Sequence, residues 1–227
     1  MSARLRTALL AAGLLGLVMS PMPASAQGPS PSRFAVWVGP EWLGTMDQGG
    51  VDAMETGNGR APVTLFRTES ELAGGTGLAV GFAVRLTRTL WAETAVRYHS
   101  ARLTIRTSED IEGADATARE GLQQYRVEAG ALWVPEEGRL GTRTQLFAVG
   151  GTGYLRQLHS RQLLAESGRS YTAGGGAILW LPGRQGGTFN AVGLRLEGRA
   201  VISTGGTAFD DRAHAAPSAS ASLFLRF

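Results

Sequence analysis

From residue 33 onward, apolar residues fall on every second position over several segments, the repeat of strands whose side chains alternate between two faces. Phe34, Val36, Val38 and Trp42 share one face of the first segment, against Arg33, Ala35, Trp37, Gly39 and Glu41. In the second, Leu78, Val80, Phe82, Val84 and Leu86 oppose Gly77, Ala79, Gly81, Ala83 and Arg85. The third sets Ala92, Val96 and Tyr98 against Glu93, Ala95, Arg97 and His99, and the fourth sets Tyr125, Val127, Ala129, Ala131 and Trp133 against Gln124, Arg126, Glu128 and Gly130. Further on, Val192, Leu194, Leu196, Ala200 and Ile202 oppose Arg195, Glu197 and Arg199. The last segment sets Ala219, Ala221, Leu223, Leu225 and Phe227 against Ser218, Ser220, Ser222 and Arg226. Two Gly-rich segments, about 142–158 and 170–181, have no clear parity. Eight strands are predicted.

The connections alternate between long and short. The long ones are 44–73, 107–120, 159–169 and 203–213; the short ones lie near Arg88-Thr89, at Pro135 to Gly141 and at Pro182 to Gly187. Turn residues mark the short set. Alternation of this kind, with strands of at least ~9–11 residues, predicts an all-β, eight-stranded antiparallel up-and-down transmembrane barrel. A soluble barrel or sandwich has the same parity with its apolar face turned inward. Two features favour the membrane. Charge is absent from the central apolar parity, and Trp42, Trp91, Trp133, Trp180 and Phe227 sit near segment ends, where an interfacial girdle belongs.

The closing run, with Leu223, Leu225 and Phe227 at alternate positions, resembles the assembly signal of bacterial outer-membrane barrels. The chain after residue 26 resembles the small eight-stranded barrels of the outer membrane protein A and OmpX type. The resemblance implies assembly machinery that reads the last strand, and outer-membrane lipid and lipopolysaccharide as surroundings. It implies no activity.

Residues 1–26 read as an export signal, with Arg4 and Arg6 ahead of the apolar run Ala8 to Val18 and a small-x-small site at Ala24-Ser25-Ala26. The domain boundaries are therefore 1–26 for the signal peptide and 27–227 for the barrel, with the bacterial outer membrane as destination. All 22 basic residues are Arg, there is no Cys, and the net charge is +3. Removing two Arg with the leader lowers it to +1, so the high pI does not mark a nucleic-acid binder. The lack of Cys excludes disulfides and thiolate chemistry.

If the apolar parity faces lipid, the lumen receives Arg33, Glu41, Arg85, Glu93, Arg97, Arg126, Glu128, Arg195, Glu197, Arg199 and Arg226, seven Arg against four Glu. Buried charges must pair or stay wet. Pairing is expected between neighbouring strands, as Arg97–Glu128 or Arg126–Glu93. Eight strands leave a bore just wide enough for side chains, so a closed lumen is expected. The surplus Arg keeps open an alternative as a narrow pore or carrier for small anionic solutes.

Loops 44–73 and 107–120 are acidic, at net −3 and −4. Their spacing fits no calcium loop, and a solvated outer surface is expected. An outer-leaflet lipid-modifying enzyme would need Ser, His and acid together. His99-Ser100 point to opposite faces of a strand; His159-Ser160 lies near Glu166, and His214 near Asp210 and Asp211. None forms a recognisable site. The expectation is a non-enzymatic barrel with a structural, adhesive or binding role, with no catalytic residue, cofactor or metal; its extracellular ligand is not readable.

Overall fold

Strands form where side chains alternate between an apolar and a small or charged set, because the pleat sends successive residues to opposite faces. The computed structural model describes residues 32–55, 63–108, 113–159, 165–182, 190–208 and 212–227. The export signal at 1–26 lies outside them, as do Glu109, Asp110, Glu112, Ser160, Asp210 and Asp211. The strands are β1 (Phe34–Leu43), β2 (Met46–Glu55), β3 (Val63–Arg85), β4 (Leu90–Ser108), β5 (Ala116–Trp133), β6 (Arg139–Leu140), β7 (Thr144–His159), β8 (Ala165–Trp180), β9 (Ala191–Gly205) and β10 (His214–Arg226).

Every pairing is antiparallel, and the ring closes. Strand β1 pairs with β3 from Phe34↔Val84 to Leu43↔Gly75, and with β10 from Ala35↔Arg226 to Leu43↔Ser218. Eight long strands complete the circuit in the order β1, β3, β4, β5, β7, β8, β9, β10. The other two are accessories. Strand β6 pairs only with the start of β7, in a short connection, and β2 continues β1 outward along β3. The break between β1 and β2 falls at Gly44-Thr45, where the Gly44 amide donates to the Pro217 carbonyl at 2.7 Å. Proline can occupy β10 there because its missing amide faces the interrupted strand.

The segment 44–73, expected as a loop, is largely strand, and so are the flanks of 107–120. Strand β3 runs 23 residues and β4 runs 19, about twice the ~9–11 that cross a bilayer, so the β2–β3 and β3–β4 pairings stand well clear of it. Apolar periodicity stops where both faces meet water, although backbone pairing continues. Register slips at Ala73/Thr76, so Gly74 and Gly75 form a bulge that resets the parity of β3.

The lumen is filled in layers. Near the short turns lie Trp37, Trp91, Leu132, Phe147, Ile178 and Phe224; near the long connections lie Leu43, Met46, Leu72, Leu103, Leu122 and Val201. Charged residues occupy the level between them.

Candidate functional site: the lumen and its two mouths

Four Glu and four Arg meet inside the barrel: Glu41 on β1, Glu93 and Arg97 on β4, Arg126 and Glu128 on β5, and Arg195, Glu197 and Arg199 on β9. All eight are buried, Arg126 at 0% exposure and Arg97 and Arg195 at 1%. Arg97 reaches Glu41 at 2.5 Å, Glu128 at 2.9 Å and Glu197 at 3.6 Å. Arg126 contacts Glu41 at 3.1 Å and Glu128 at 3.5 Å; it does not turn to Glu93. Arg195 grips Glu93 with both terminal nitrogens, at 2.6 and 3.2 Å, and bonds Glu197 through its Nε at 2.8 Å. Arg199 joins Glu93 at 3.1 Å, Glu128 at 3.2 Å and Glu197. Each carboxylate therefore touches at least two guanidiniums. Such multiple, partly bidentate contacts satisfy charges that would be costly to bury alone.

The links cross the bore. Strands β4 and β9 are four steps apart in the ring by either route, yet Arg195 and Glu93 are bonded. The expectation of neighbour-only pairing fails because an eight-strand bore is narrow enough for an Arg side chain to reach the opposite wall. Space comes from the strands that add no charge to the network, which present Gly77, Ala79 and Gly81, Gly151 and Gly153, and Gly174 and Gly176 to the lumen. A Cβ on Gly174 would sit 2.9 Å from the Arg199 Cγ, and one on Gly81 would sit 2.3 Å from the Trp37 indole. That indole lies under Arg195 and Arg97, whose guanidinium carbons are 4.9 and 5.3 Å from its ring. Gly81→Val is expected to destabilise the barrel by roughly 1–3 kcal/mol through overpacking. Urea unfolding in lipid vesicles measures it, and an unchanged midpoint would show that Trp37 has other room.

Three predicted lumen residues lie elsewhere. Arg33 is exposed, ahead of β1. Arg85 turns back onto the Thr87 and Arg88 carbonyls at 3.0 and 3.1 Å. Arg226 is held at the short-turn mouth between two indoles, 5.0 Å from the Trp91 ring and 4.8 Å from that of Trp180. The expected surplus of three positive charges is therefore absent from the network, which balances at four against four.

The outer wall is the inverse of this interior. Val38, Val80, Val96 and Val127 pair side by side across β1, β3, β4 and β5 and are 42–54% exposed. Tyr98 and Tyr125 touch at 5.1 Å at the upper edge of this band, beside outward Tyr154, Tyr171 and Trp42. At the lower edge Phe34 stacks on Phe82 at 5.9 Å near outward Trp133. Of the expected girdle, Trp42 and Trp133 face out, whereas Trp91 and Trp180 line the lumen. The tyrosines were missed because they lie mid-segment once the strands lengthen. Buried charge inside and an uncharged apolar band with aromatic edges outside form the arrangement of a lipid-facing wall. The chain is a small eight-stranded transmembrane β-barrel.

No family model matches the barrel's sequence, and no curated protein matches it. Solved structures similar to it include the outer membrane protein OprG from Pseudomonas aeruginosa. That match has 10% identity and a TM-score of 0.48, and covers 89% of this chain and 99% of that one. Ail, the attachment invasion locus protein of Yersinia pestis, matches at 11% identity and a TM-score of 0.37, over 86% of this chain and 99% of its own. The translocator domain of the autotransporter NalP from Neisseria meningitidis gives 15% identity and a TM-score of 0.26, over 99% and 96%. The architecture rests on the closed register and the inverted charge distribution.

At the long-connection mouth the barrel opens into a cup of about 840 Å³. Asp47, Asp52, Glu69 and Glu71 face Arg67, Arg106, Arg119 and Arg212 around it. Sequence suggested an acidic outer surface; these four acids instead share a cavity with four Arg brought in by β3, β4, β5 and the approach to β10. Asp52 takes a two-point bond from Arg67, at 2.8 and 3.2 Å, which holds its carboxyl below the usual range. The histidines lie in three separate places, with His214 opposite Ser203 in the β9–β10 register. His99 is fully buried, 3.7 Å from Glu41, with Ser100 on the opposite face. His159 bonds Glu120 at 2.9 Å, and His214 is buried at the start of β10. Among the described residues no three His, Asp or Glu are placed to hold a metal.

Proposed function

We propose that this barrel resides in the outer membrane of a Gram-negative envelope, with a closed lumen, and presents its outer cup as a binding or adhesive surface. The observation that carries the reading is the balanced four-Arg, four-Glu network, sealed on both sides by apolar side chains. A conducting path needs a continuous column of mobile water. Here the void beside Glu93, Glu128 and Arg199 is about 10 Å³, no larger than one water. The anionic-solute pore loses its motivation, because the Arg surplus that suggested it lies outside the network.

The cup's mixed charge suits a polar or zwitterionic ligand better than a polyanion, since each sign has its partner close by. No reaction is assigned, and the role is non-enzymatic. Lipid and lipopolysaccharide are the proposed surroundings of the outward Tyr98, Tyr125, Tyr154 and Tyr171. The strand carrying Leu223, Leu225 and Phe227 is the proposed segment read by the assembly machinery. It is the closing strand, with the Phe227 amide donating to the Phe34 carbonyl at 2.9 Å.

Single-channel recording in a planar bilayer tests the closed lumen. The refolded protein is expected to give no steady conductance. A large, ion-selective current would overturn the reading and favour the pore.

A further inference from the structure

The short-turn mouth holds a second pocket, of about 330 Å³, lined by Arg85, Arg88, Arg139 and Arg226 with Glu136 as its one acid. Among the described residues none of these four Arg forms an ion pair with a carboxylate. Their known bonds are to neutral oxygens: Arg85 to the Thr87 and Arg88 carbonyls, and Arg139 to the Gln145 side chain at 3.2 Å. Arg226 is flanked by the Trp91 and Trp180 rings, and its shielded Nε has no hydrogen-bond partner.

This contrasts with the network a few residues deeper, where every guanidinium meets at least two carboxylates. Gathering like charges around one mouth costs free energy unless a counter-ion of opposite sign sits among them. Cation–π contacts with two indoles hold the Arg226 guanidinium in place, and its Nε keeps a donor without a partner. A guanidinium fork backed by further Arg suits a tetrahedral oxyanion with several acceptor oxygens. Gln145, buried at 6% exposure, is engaged with the Pro135 carbonyl at 2.7 Å and holds the turn that carries Glu136 and Arg139.

We infer that the short-turn mouth is a binding site for a phosphate group, with Arg226 as the anchor and Arg85 and Arg139 as supporting donors. The site is independent of the closed-lumen reading, because it lies outside the apolar layer of Trp37, Phe147 and Phe224. The phosphate can belong to a free phosphate ester or to an anionic lipid headgroup; the chemistry at Arg226 is the same.

The test uses the full barrel refolded in a neutral detergent, titrated with inorganic phosphate. Binding is followed by calorimetry and by tryptophan fluorescence, since Trp91 and Trp180 report directly on Arg226. A saturable response is expected. Arg226→Gln should weaken it on the order of tenfold or more, as loss of a charge-assisted bond implies, and Arg139→Gln less. Arg139 is exposed on the turn, so its variant folds even if Arg226→Gln does not. Heat-shifted gel migration verifies folding in each case. A parallel arm places the barrel in nanodiscs of phosphatidylcholine alone or with phosphatidylglycerol. A fluorescence change seen only with phosphatidylglycerol, lost in Arg226→Gln and weakened in Arg139→Gln, supports a headgroup; saturation by inorganic phosphate supports a free ester. No response in either arm, or full retention of binding in both variants, overturns the site. Conductance plays no part in these readouts, so failure here leaves the lumen reading untouched.

Discussion

Glu128→Gln is expected to lower the stability of the folded barrel by roughly 3–5 kcal/mol, the range seen when one partner of a buried ion pair is removed. Glu128 has 4% exposure and contacts Arg97, Arg126 and Arg199. An amide keeps its shape and one acceptor oxygen but removes the charge. Three guanidiniums from three positions then face a net positive lumen of four Arg against three Glu. Removing Arg199 as well restores the balance, so Glu128→Gln with Arg199→Gln is expected to recover part of the loss. Urea unfolding in lipid vesicles, followed by gel migration without boiling, measures both. A cost below about 0.5 kcal/mol for the single variant would mean that the network is not energetically coupled.

The parity of the wall was legible because membrane strands must keep charge on one face. All eight network residues were readable for that reason, as were Val96 beside Arg97 and Leu196 beside Arg195. The pairing inside was not legible. Register and bore radius decide it, and alternation is silent on both. Arg195 finds Glu93 across the barrel because the Gly of β7 and β8 put no side chain at the level of the network, while Trp37 and Phe147 pack against its guanidinium from the layer below. Arg85 and Arg226 share the inward parity but sit one layer nearer the turns, where indoles replace carboxylates as partners. Their level along the barrel axis, which periodicity does not encode, takes them out of the network. The outer extensions were hidden for a different reason. Beyond the apolar layer of Leu72 and Leu103, residues 63–69 and 106–108 have both faces wet or polar, so the apolar signal fades although the hydrogen-bonded ladder runs on from Arg67↔Ser108 to Arg85↔Trp91.

Val96→Arg is expected to destabilise the barrel by roughly 2–4 kcal/mol, the cost of an Arg near the bilayer midplane on a lipid-facing strand. Val96 is 47% exposed, and its cross-strand neighbours Val80 and Val127 are exposed too. Its position along β4 is level with the ionic network, because Arg97 is the next residue. The adjacent positions thus have opposite rules: Arg is required at 97 and excluded at 96. In water the expectation reverses, since replacing an exposed Val by Arg on a soluble barrel stays within about ±0.5 kcal/mol. Val51 supplies the internal control. It is 48% exposed on β2, where the sheet has left the membrane, and Val51→Arg is expected to be neutral. Unfolding in phosphatidylcholine vesicles compares the two. Equal, small effects at 96 and 51 would mean that no lipid touches the valine row and that the barrel is a soluble one. A large cost confined to 96 places the apolar band in the hydrocarbon, with the four ion-paired Arg enclosed behind it.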